Sequence, residues 1–220
     1  MPPVARQTAD RLSTLSAALA GLPTAMRETL PALIAFAAAM SFTPGPNNTL
    51  VTASGASFGF RRSLPLLLGV VLGFALMVVG LGAARLFQAL PVLHEILKVA
   101  GSIYLLWLAW RIARAGRSGP AGGRARPISF VEATAFQWIN PKGWVFAAGA
   151  LSAFTTVGGD LVGEVTVITV VLAVACLAGI TTWCAFGVAI GRLLTSDRAL
   201  AAFNWSMAGL LALSVAAAFV

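Results

Sequence analysis

The chain has 220 residues, of which 59% are hydrophobic and only 10% are charged, and its mean hydropathy is +0.89. A soluble globular protein carries about 25% charged residues, so this composition excludes an ordinary soluble domain and predicts an integral membrane protein. The net charge of +8 could indicate a nucleic-acid partner. The basic residues lie in short stretches between apolar segments, however, so we expect the lipid bilayer as partner and no nucleic acid.

Six apolar stretches are long enough to cross a bilayer, which takes about 20 mostly apolar residues per helix. They span residues 30–59, 64–87, 92–113, 130–156, 165–191 and 203–220. Residues 1–29 form an N-terminal tail that lacks the pattern of a secretory signal peptide. A translation start at Met26 is an open alternative for this tail.

Proline interrupts the first and the fourth span at membrane depth. The first span contains Thr43-Pro44-Gly45-Pro46-Asn47-Asn48, and the fourth contains Asn140-Pro141-Lys142. Proline removes a backbone donor and clashes with the preceding turn, so both helices are predicted to kink or break there.

The basic loop 113–129 divides the chain into two three-helix repeats, residues 30–112 and 130–220. Because three is odd, the two halves enter the membrane in opposite orientations. The predicted fold is therefore an all-α integral membrane protein of six transmembrane helices, built as a 3+3 inverted repeat with broken first and fourth helices. Paired interruptions in corresponding helices of two halves indicate the substrate site of a secondary transporter.

A broken helix in a membrane exposes carbonyl groups on one side and N–H groups on the other, and it is tolerated where it lines a wet cavity. A zwitterionic amino acid needs both, carbonyls for its ammonium and a helix N-terminus for its carboxylate. The candidate substrate-binding residues are Thr43, Pro44, Gly45, Pro46, Asn47, Asn48, Asn140, Pro141 and Lys142. A plain proline kink with capping asparagines is the alternative.

Few charged residues lie within the spans, and two of them have open interpretations. Lys142 could hold a substrate carboxylate or extend its ammonium to the membrane interface. Glu132 could be a proton-coupling group or a carboxylate paired with the preceding loop. Cys176 and Cys184 are predicted to be small buried hydrophobes, too far apart on one helix for a disulfide.

The sequence favours neither an enzyme nor a metal or cofactor site. His94 is the single histidine, and no His-Glu-x-x-His or Gly-x-Ser-x-Gly motif occurs. The pairs Gly55/Gly59, Gly69/Gly73 and Gly187/Gly191 have the small-x-x-x-small spacing that allows close helix packing.

The distribution of basic residues predicts the orientation. One set of connections holds nine basic residues, Arg61, Arg62, Arg111, Arg114, Arg117, Arg124, Arg126, Arg192 and Arg198, and the other set holds Arg85 and Lys98. The arginine-rich face is predicted to be cytoplasmic, including the loop 113–129. With six spans, both termini are predicted to be periplasmic.

Several motifs resemble those of the LysE/RhtB family of amino-acid exporters. They are Ser41-Phe42-Thr43-Pro44-Gly45-Pro46-Asn47-Asn48, Gly59-Phe60-Arg61-Arg62-Ser63, Tyr104-Leu105-Leu106-Trp107-Leu108-Ala109-Trp110, Pro127-Ile128-Ser129-Phe130, Phe136-Gln137 and Asn140-Pro141-Lys142. The asparagine pair and the Pro-Ile-Ser-Phe stretch are most similar to cysteine/O-acetylserine exporters.

This resemblance implies a secondary transporter of the bacterial inner membrane that exports an amino acid of the homoserine/threonine or cysteine type, driven by the proton gradient. No carboxylate lies near the middle of a span. This absence favours a small neutral substrate over a basic one. A metal-cation exporter of the same fold, a passive channel and a membrane assembly factor remain alternatives, and association as a homodimer is left open.

Overall fold

The computed structural model describes residues 24–83, 102–103, 106–114, 126–156 and 159–216. The regular structure within these ranges is helical throughout, as the sequence predicted. The helices are α1 (Thr24–Phe42), α2 (Pro46–Phe58), α3 (Phe60–Ala83), α4 (Phe130–Gln137), α5 (Pro141–Phe154), α6 (Leu161–Leu193) and α7 (Asp197–Ala216). Residues 106–113 are also helical.

Both predicted helix interruptions are present. The first apolar stretch is divided into α1 and α2, and the fourth is divided into α4 and α5. In each case the second helix begins at a proline, with Gly45 and Asn140 as the preceding N-cap residues. Proline suits the first position of a helix because its missing N–H would have no helical partner there. Pro46 and Pro141 therefore begin the helices that follow the two breaks.

Two helices are long and apolar enough to cross a bilayer, by length and composition. They are Phe60–Gly82, with a mean hydropathy of 2.6, and Leu161–Leu193, with 2.4, and they match the second and fifth predicted spans. The breaks divide the first and fourth spans into shorter helices, and most of the third span lies outside the described residues. The six-span inverted repeat therefore stays a prediction.

Four helices extend beyond their predicted limits. Helix α1 begins at Thr24 within the predicted tail, with Met26 buried in the core, α3 begins at Phe60 rather than at residue 64, and α7 begins at Asp197 rather than at residue 203. Helix α6 has 33 residues, about 50 Å of rise. The side chain of Asp160 caps α6 by accepting a hydrogen bond from the Gly163 N–H. A polar cap, rather than the limit of the apolar stretch, therefore sets the start of α6.

Helix α6 lies at the centre of the described structure, where it contacts α1, α2, α3 and α5. Glycines allow these approaches. A Cβ on Gly187 would overlap the Thr52 carbonyl oxygen of α2, and one on Gly191 would lie 2.5 Å from that of Ala56. In the same way, α3 packs Gly69 against the Phe130 carbonyl of α4.

Gly59 departs from the predicted packing role. No atom of the described residues lies within 4 Å of its Cβ position, so it supports no helix contact among them. Its φ of +81° instead ends α2 in a conformation that favours glycine. The pair Gly55/Gly59 therefore combines one packing residue and one helix terminator.

Helix α3 presents an apolar stripe on the outside of the molecule. Leu64, Leu68, Leu72 and Leu76 recur every fourth residue and are 41–55% exposed. A stripe of this kind would be unfavourable in water, but it suits contact with lipid chains. This arrangement agrees with the bilayer as the predicted surrounding.

Candidate functional site

The two helix breaks meet through a pair of side-chain amides. Asn47 lies in the first turn of α2, and its Nδ2 donates to Gln137 Oε1 at 3.0 Å. The Gln137 Nε2 donates back to Asn47 Oδ1 at 3.1 Å. Asn140 Nδ2 also donates to Gln137 Oε1 at 3.4 Å. Residues that are 90 positions apart in the sequence are thereby joined across the two halves.

The carbonyl groups at the end of α1 are held by two donors. Asn48 Nδ2 donates to the Ser41 and Thr43 carbonyl oxygens, each at 2.9 Å. The ammonium of Lys142 donates to the Thr43 carbonyl and, at 3.4 Å, to that of Pro44. The last carbonyls of a helix have no helical partners, so these contacts complete the end of α1.

Lys142 therefore has a partner that the sequence did not identify. A substrate carboxylate and the membrane interface were the two interpretations, whereas the described contacts are with main-chain carbonyl oxygens of the other half. Both partners belong to the proline segment of the first half, so this lysine connects α5 to the break between α1 and α2.

A small cavity lies at this junction, with a volume of about 30 Å³. Its polar lining comes from Ser41, Gly45, Asn47, Asn48, Asn140, Lys142 and Gly143. Its apolar lining comes from Met40, Phe74, Phe146, Cys176 and Ile180. A cavity of this size holds about two water molecules.

Two buried polar atoms on the cavity-lining residues have no hydrogen-bond partner. They are Ser41 Oγ and Asn140 Oδ1, on residues that are 7% and 1% exposed. An unpaired buried polar group costs about 1–3 kcal/mol, so nearly all such groups in proteins are satisfied. Both atoms are therefore available to a polar ligand or to water within the cavity.

The predicted site residues divide into three groups by position. Gly45, Asn47, Asn48, Asn140 and Lys142 line the cavity. Thr43 and Pro44 supply the carbonyls that bind Lys142. Pro46 and Pro141 begin α2 and α5 and do not line the cavity, so their contribution is to the backbone path.

Glu132 lies outside the cavity lining, near the start of α4. Its carboxylate binds Arg111 at 3.2 Å and Arg126 at 2.7 Å. The carboxylate also accepts a hydrogen bond from the Ser129 N–H, and the backbone N–H of Glu132 donates to the Ser129 hydroxyl. These contacts correspond to the loop-paired alternative that the sequence left open.

Sequence reasoning missed several residues of this site. Gln137 was noted only as part of a motif, although a fully buried amide within an apolar stretch requires a hydrogen-bond partner. Phe74 and Phe146 stack at a centroid distance of 5.0 Å to form an apolar wall, and nothing in their spacing indicated this. Cys176 is buried as predicted, but it also lines the cavity.

The cavity offers donors and acceptors without an acidic group or a metal-binding cluster. The described ranges hold no group of three or more histidine, cysteine or acidic residues that could bind a metal. Lys142 is the one charged residue among the described residues of the lining. This arrangement suits a small ligand that carries both hydrogen-bond donors and acceptors.

Comparison with known proteins gives a consistent result. A family model, the LysE type translocator, matches residues 38–220. Proteins named "Cysteine/O-acetylserine efflux protein" from Escherichia coli strain K12, Shigella sonnei strain Ss046 and Shigella flexneri are each 34% identical over 155 residues. The match covers 70% of this chain and 79% of each relative. No solved structure matches the chain.

Proposed function

The chain belongs to the LysE type translocator family of membrane transport proteins, and we propose that it exports a small neutral amino acid from the cytoplasm across the bacterial inner membrane. The observation that carries this proposal is the cavity between the two helix breaks. Asn47, Asn48 and Asn140 line it, and Asn48 and Lys142 connect it to the main-chain carbonyls of Thr43 and Pro44 in the adjoining proline segment. The same groups were proposed from the sequence as those that bind a zwitterion.

The electrostatics of the cavity support a neutral side chain on the substrate. The described lining contains no acidic residue, so a second positive charge on the substrate would lack a counter-charge. Burying an unpaired charge is strongly unfavourable. Cysteine and O-acetylserine are the first substrates to test because the relatives carry those names, and homoserine and threonine are the next.

The packing of the helices supports the inverted-repeat architecture. Helix α3 of the first half contacts α4 and α5, the broken pair of the second half. Helix α6 of the second half contacts α1 and α2, the broken pair of the first. Reciprocal contacts of this kind are expected when two halves are related by a two-fold axis in the membrane plane.

The residues proposed to bind substrate are those that the sequence predicts, from Thr43 to Asn48 and from Asn140 to Lys142. The contacts of Glu132 give no support to a coupling role, since both its partners are arginines outside the cavity lining. Coupling to the proton gradient is retained as part of the proposal on family resemblance.

Counterflow in proteoliposomes tests this function. Vesicles preloaded with unlabelled O-acetylserine are diluted into a trace of the labelled compound. A carrier should accumulate label transiently above its equilibrium level, because inward-moving label exchanges with outward-moving unlabelled substrate. Cysteine, homoserine and threonine should compete, and lysine should not.

Empty vesicles and vesicles preloaded with lysine serve as controls. A monotonic approach to equilibrium would indicate a channel. Absence of uptake for every amino acid in the panel would remove the proposed function.

A further inference from the structure

The ammonium of Lys142 donates hydrogen bonds to main-chain carbonyl oxygens. The ammonium of an amino-acid substrate would need acceptors of the same kind. Lys142 donates to the carbonyls of Thr43 and Pro44, which lie between the end of α1 and the start of α2. A lysine side chain and an α-amino group both end in a primary ammonium with three donors. The two groups would therefore make the same contacts at this position.

The Thr43 carbonyl oxygen already accepts from Asn48 Nδ2 and from the Lys142 ammonium, so both of its lone pairs are in use. A Cβ on Gly45 would lie 2.6 Å from Lys142 Cδ and 3.1 Å from its Nζ, so the lysine chain runs directly over the Gly45 backbone. With the lysine in this position, the cavity beside it holds about two water molecules. A substrate ammonium that bonds these carbonyls in the same way must therefore displace Lys142.

We propose, as a deepening of the proposed function on which it rests, that Lys142 is a tethered competitor of the substrate ammonium at the Thr43 and Pro44 carbonyls. In the empty carrier the lysine bonds carbonyl groups that the helix break has left without helical partners. When substrate binds, its ammonium replaces that of Lys142, and the number of positive charges at the carbonyls stays the same.

The unpaired atoms of the cavity fit this exchange. Ser41 Oγ and Asn140 Oδ1 are buried, lack partners and belong to lining residues. Both atoms can accept hydrogen bonds. They can therefore bond those N–H groups of a substrate ammonium that are not bonded to the Thr43 and Pro44 carbonyls. Lysine reaches the carbonyls but leaves these two atoms unsatisfied. The site therefore selects ligands with a free ammonium and discriminates against N-acylated ones.

A competing role for Lys142 and a role in holding the substrate carboxylate predict opposite changes in substrate affinity when the lysine is replaced. If Lys142 competes with substrate, the apparent affinity is reduced by the fraction of protein in which the lysine occupies the site. Removing its ammonium should then tighten binding. If Lys142 instead held the substrate carboxylate, the same change should weaken binding.

The test is equilibrium binding of labelled O-acetylserine to the purified full-length protein and to K142M, K142Q and K142R. We expect K142M and K142Q to bind at least threefold more tightly than wild type, because neither retains the competing charge. K142R keeps a cation and should stay within about twofold of wild type. N-acetylserine, an isomer of O-acetylserine without the ammonium, should not displace the label from any variant.

Lys98 is the only other lysine in the chain, so K98M is the matched control and should bind as wild type does. K142M and K142Q both remove the charge of Lys142. The binding result from whichever of them is monodisperse after purification decides whether the lysine competes with substrate. Weaker or unchanged binding by K142M and K142Q, with normal binding by wild type, overturns the competitor role and leaves the proposed function intact. Absence of O-acetylserine binding by wild type and all variants overturns both.

Discussion

Asn47 and Gln137 illustrate what single residues contribute to this site. The sequence placed Asn47 beside a helix break, and its amide indeed lines the cavity. Its reciprocal partner Gln137 lies 90 positions away and is completely buried, so the Gln137 amide depends on protein partners. In such surroundings a lost partner is costly, and the pair fixes the distance between the two breaks.

Asn47→Ala and Gln137→Ala should each lower the free energy of unfolding by about 1–3 kcal/mol, because each removes both hydrogen bonds that join the two amides. The double variant should lose less than the sum, with a coupling energy of about 1 kcal/mol. Denaturant unfolding in detergent measures the free energies of unfolding of the wild type, the two single variants and the double variant. We also expect at least a tenfold loss of export for Asn47→Ala.

Asn204 provides the control cycle for this pair. It is a buried amide that bonds Ser57, which lies ten residues along α2 from Asn47, or about 15 Å. Effects of Asn47→Ala and Asn204→Ala should therefore add. Additivity of the Asn47 and Gln137 variants would contradict the proposed coupling of the two breaks.

At the scale of the helices, contact between α2 and α6 depends on the absence of side chains. Gly187 and Gly191 bring the α6 backbone against carbonyl oxygens of α2. The predicted small-residue spacing on α6 is confirmed by these contacts, whereas Gly59 ends a helix instead. Helices in a membrane associate through such close packing because lipid is as apolar as the helix surface.

Gly187→Ala should destabilise the protein by about 1–3 kcal/mol, since the added methyl would overlap the Thr52 carbonyl and the helices would have to separate. Gly209→Ala is the matched control, because Gly209 lies within α7 and none of the residues that the structure describes comes within 4 Å of its Cβ position. That change should be neutral or stabilising by up to about 1 kcal/mol. Thermal melting of both purified variants compares them, and equal melting temperatures would contradict this account of the packing.

At the scale of the whole molecule, the arginines have a structural as well as a topological role. Arg126 of the predicted cytoplasmic loop and Arg111 of the helical segment 106–113 both bind Glu132, and so connect these parts to the start of α4. The excess of arginine on this side still predicts the orientation, because basic residues near the ends of spans are retained on the cytoplasmic face.

Labelling of intact cells with a membrane-impermeant thiol reagent tests the orientation. Gly158→Cys should react from outside and Gly122→Cys should not, because the loops that hold them are predicted to lie on opposite faces. Cys176 and Cys184 are buried, and replacing both by alanine removes any background. Lysed cells, in which both sites should react, provide the control. The reverse pattern in intact cells would invert the proposed topology.

The sequence alone determined the helical membrane class and the positions of both helix breaks. These properties are local, because apolar length and proline act within a few residues of their own position. It located the ends of α1, α3, α6 and α7 less well, since those helices extend past the apolar stretches by which they were identified.

Only the tertiary structure decided which polar groups meet. Lys142 contacts a carbonyl 99 positions away, Asn47 bonds Gln137 rather than standing free, and Glu132 pairs with arginines rather than entering the cavity. The choice among such partners depends on how distant helices approach one another, and glycines at their contacts set that approach. A residue's chemical type limits its partners, but packing selects among them.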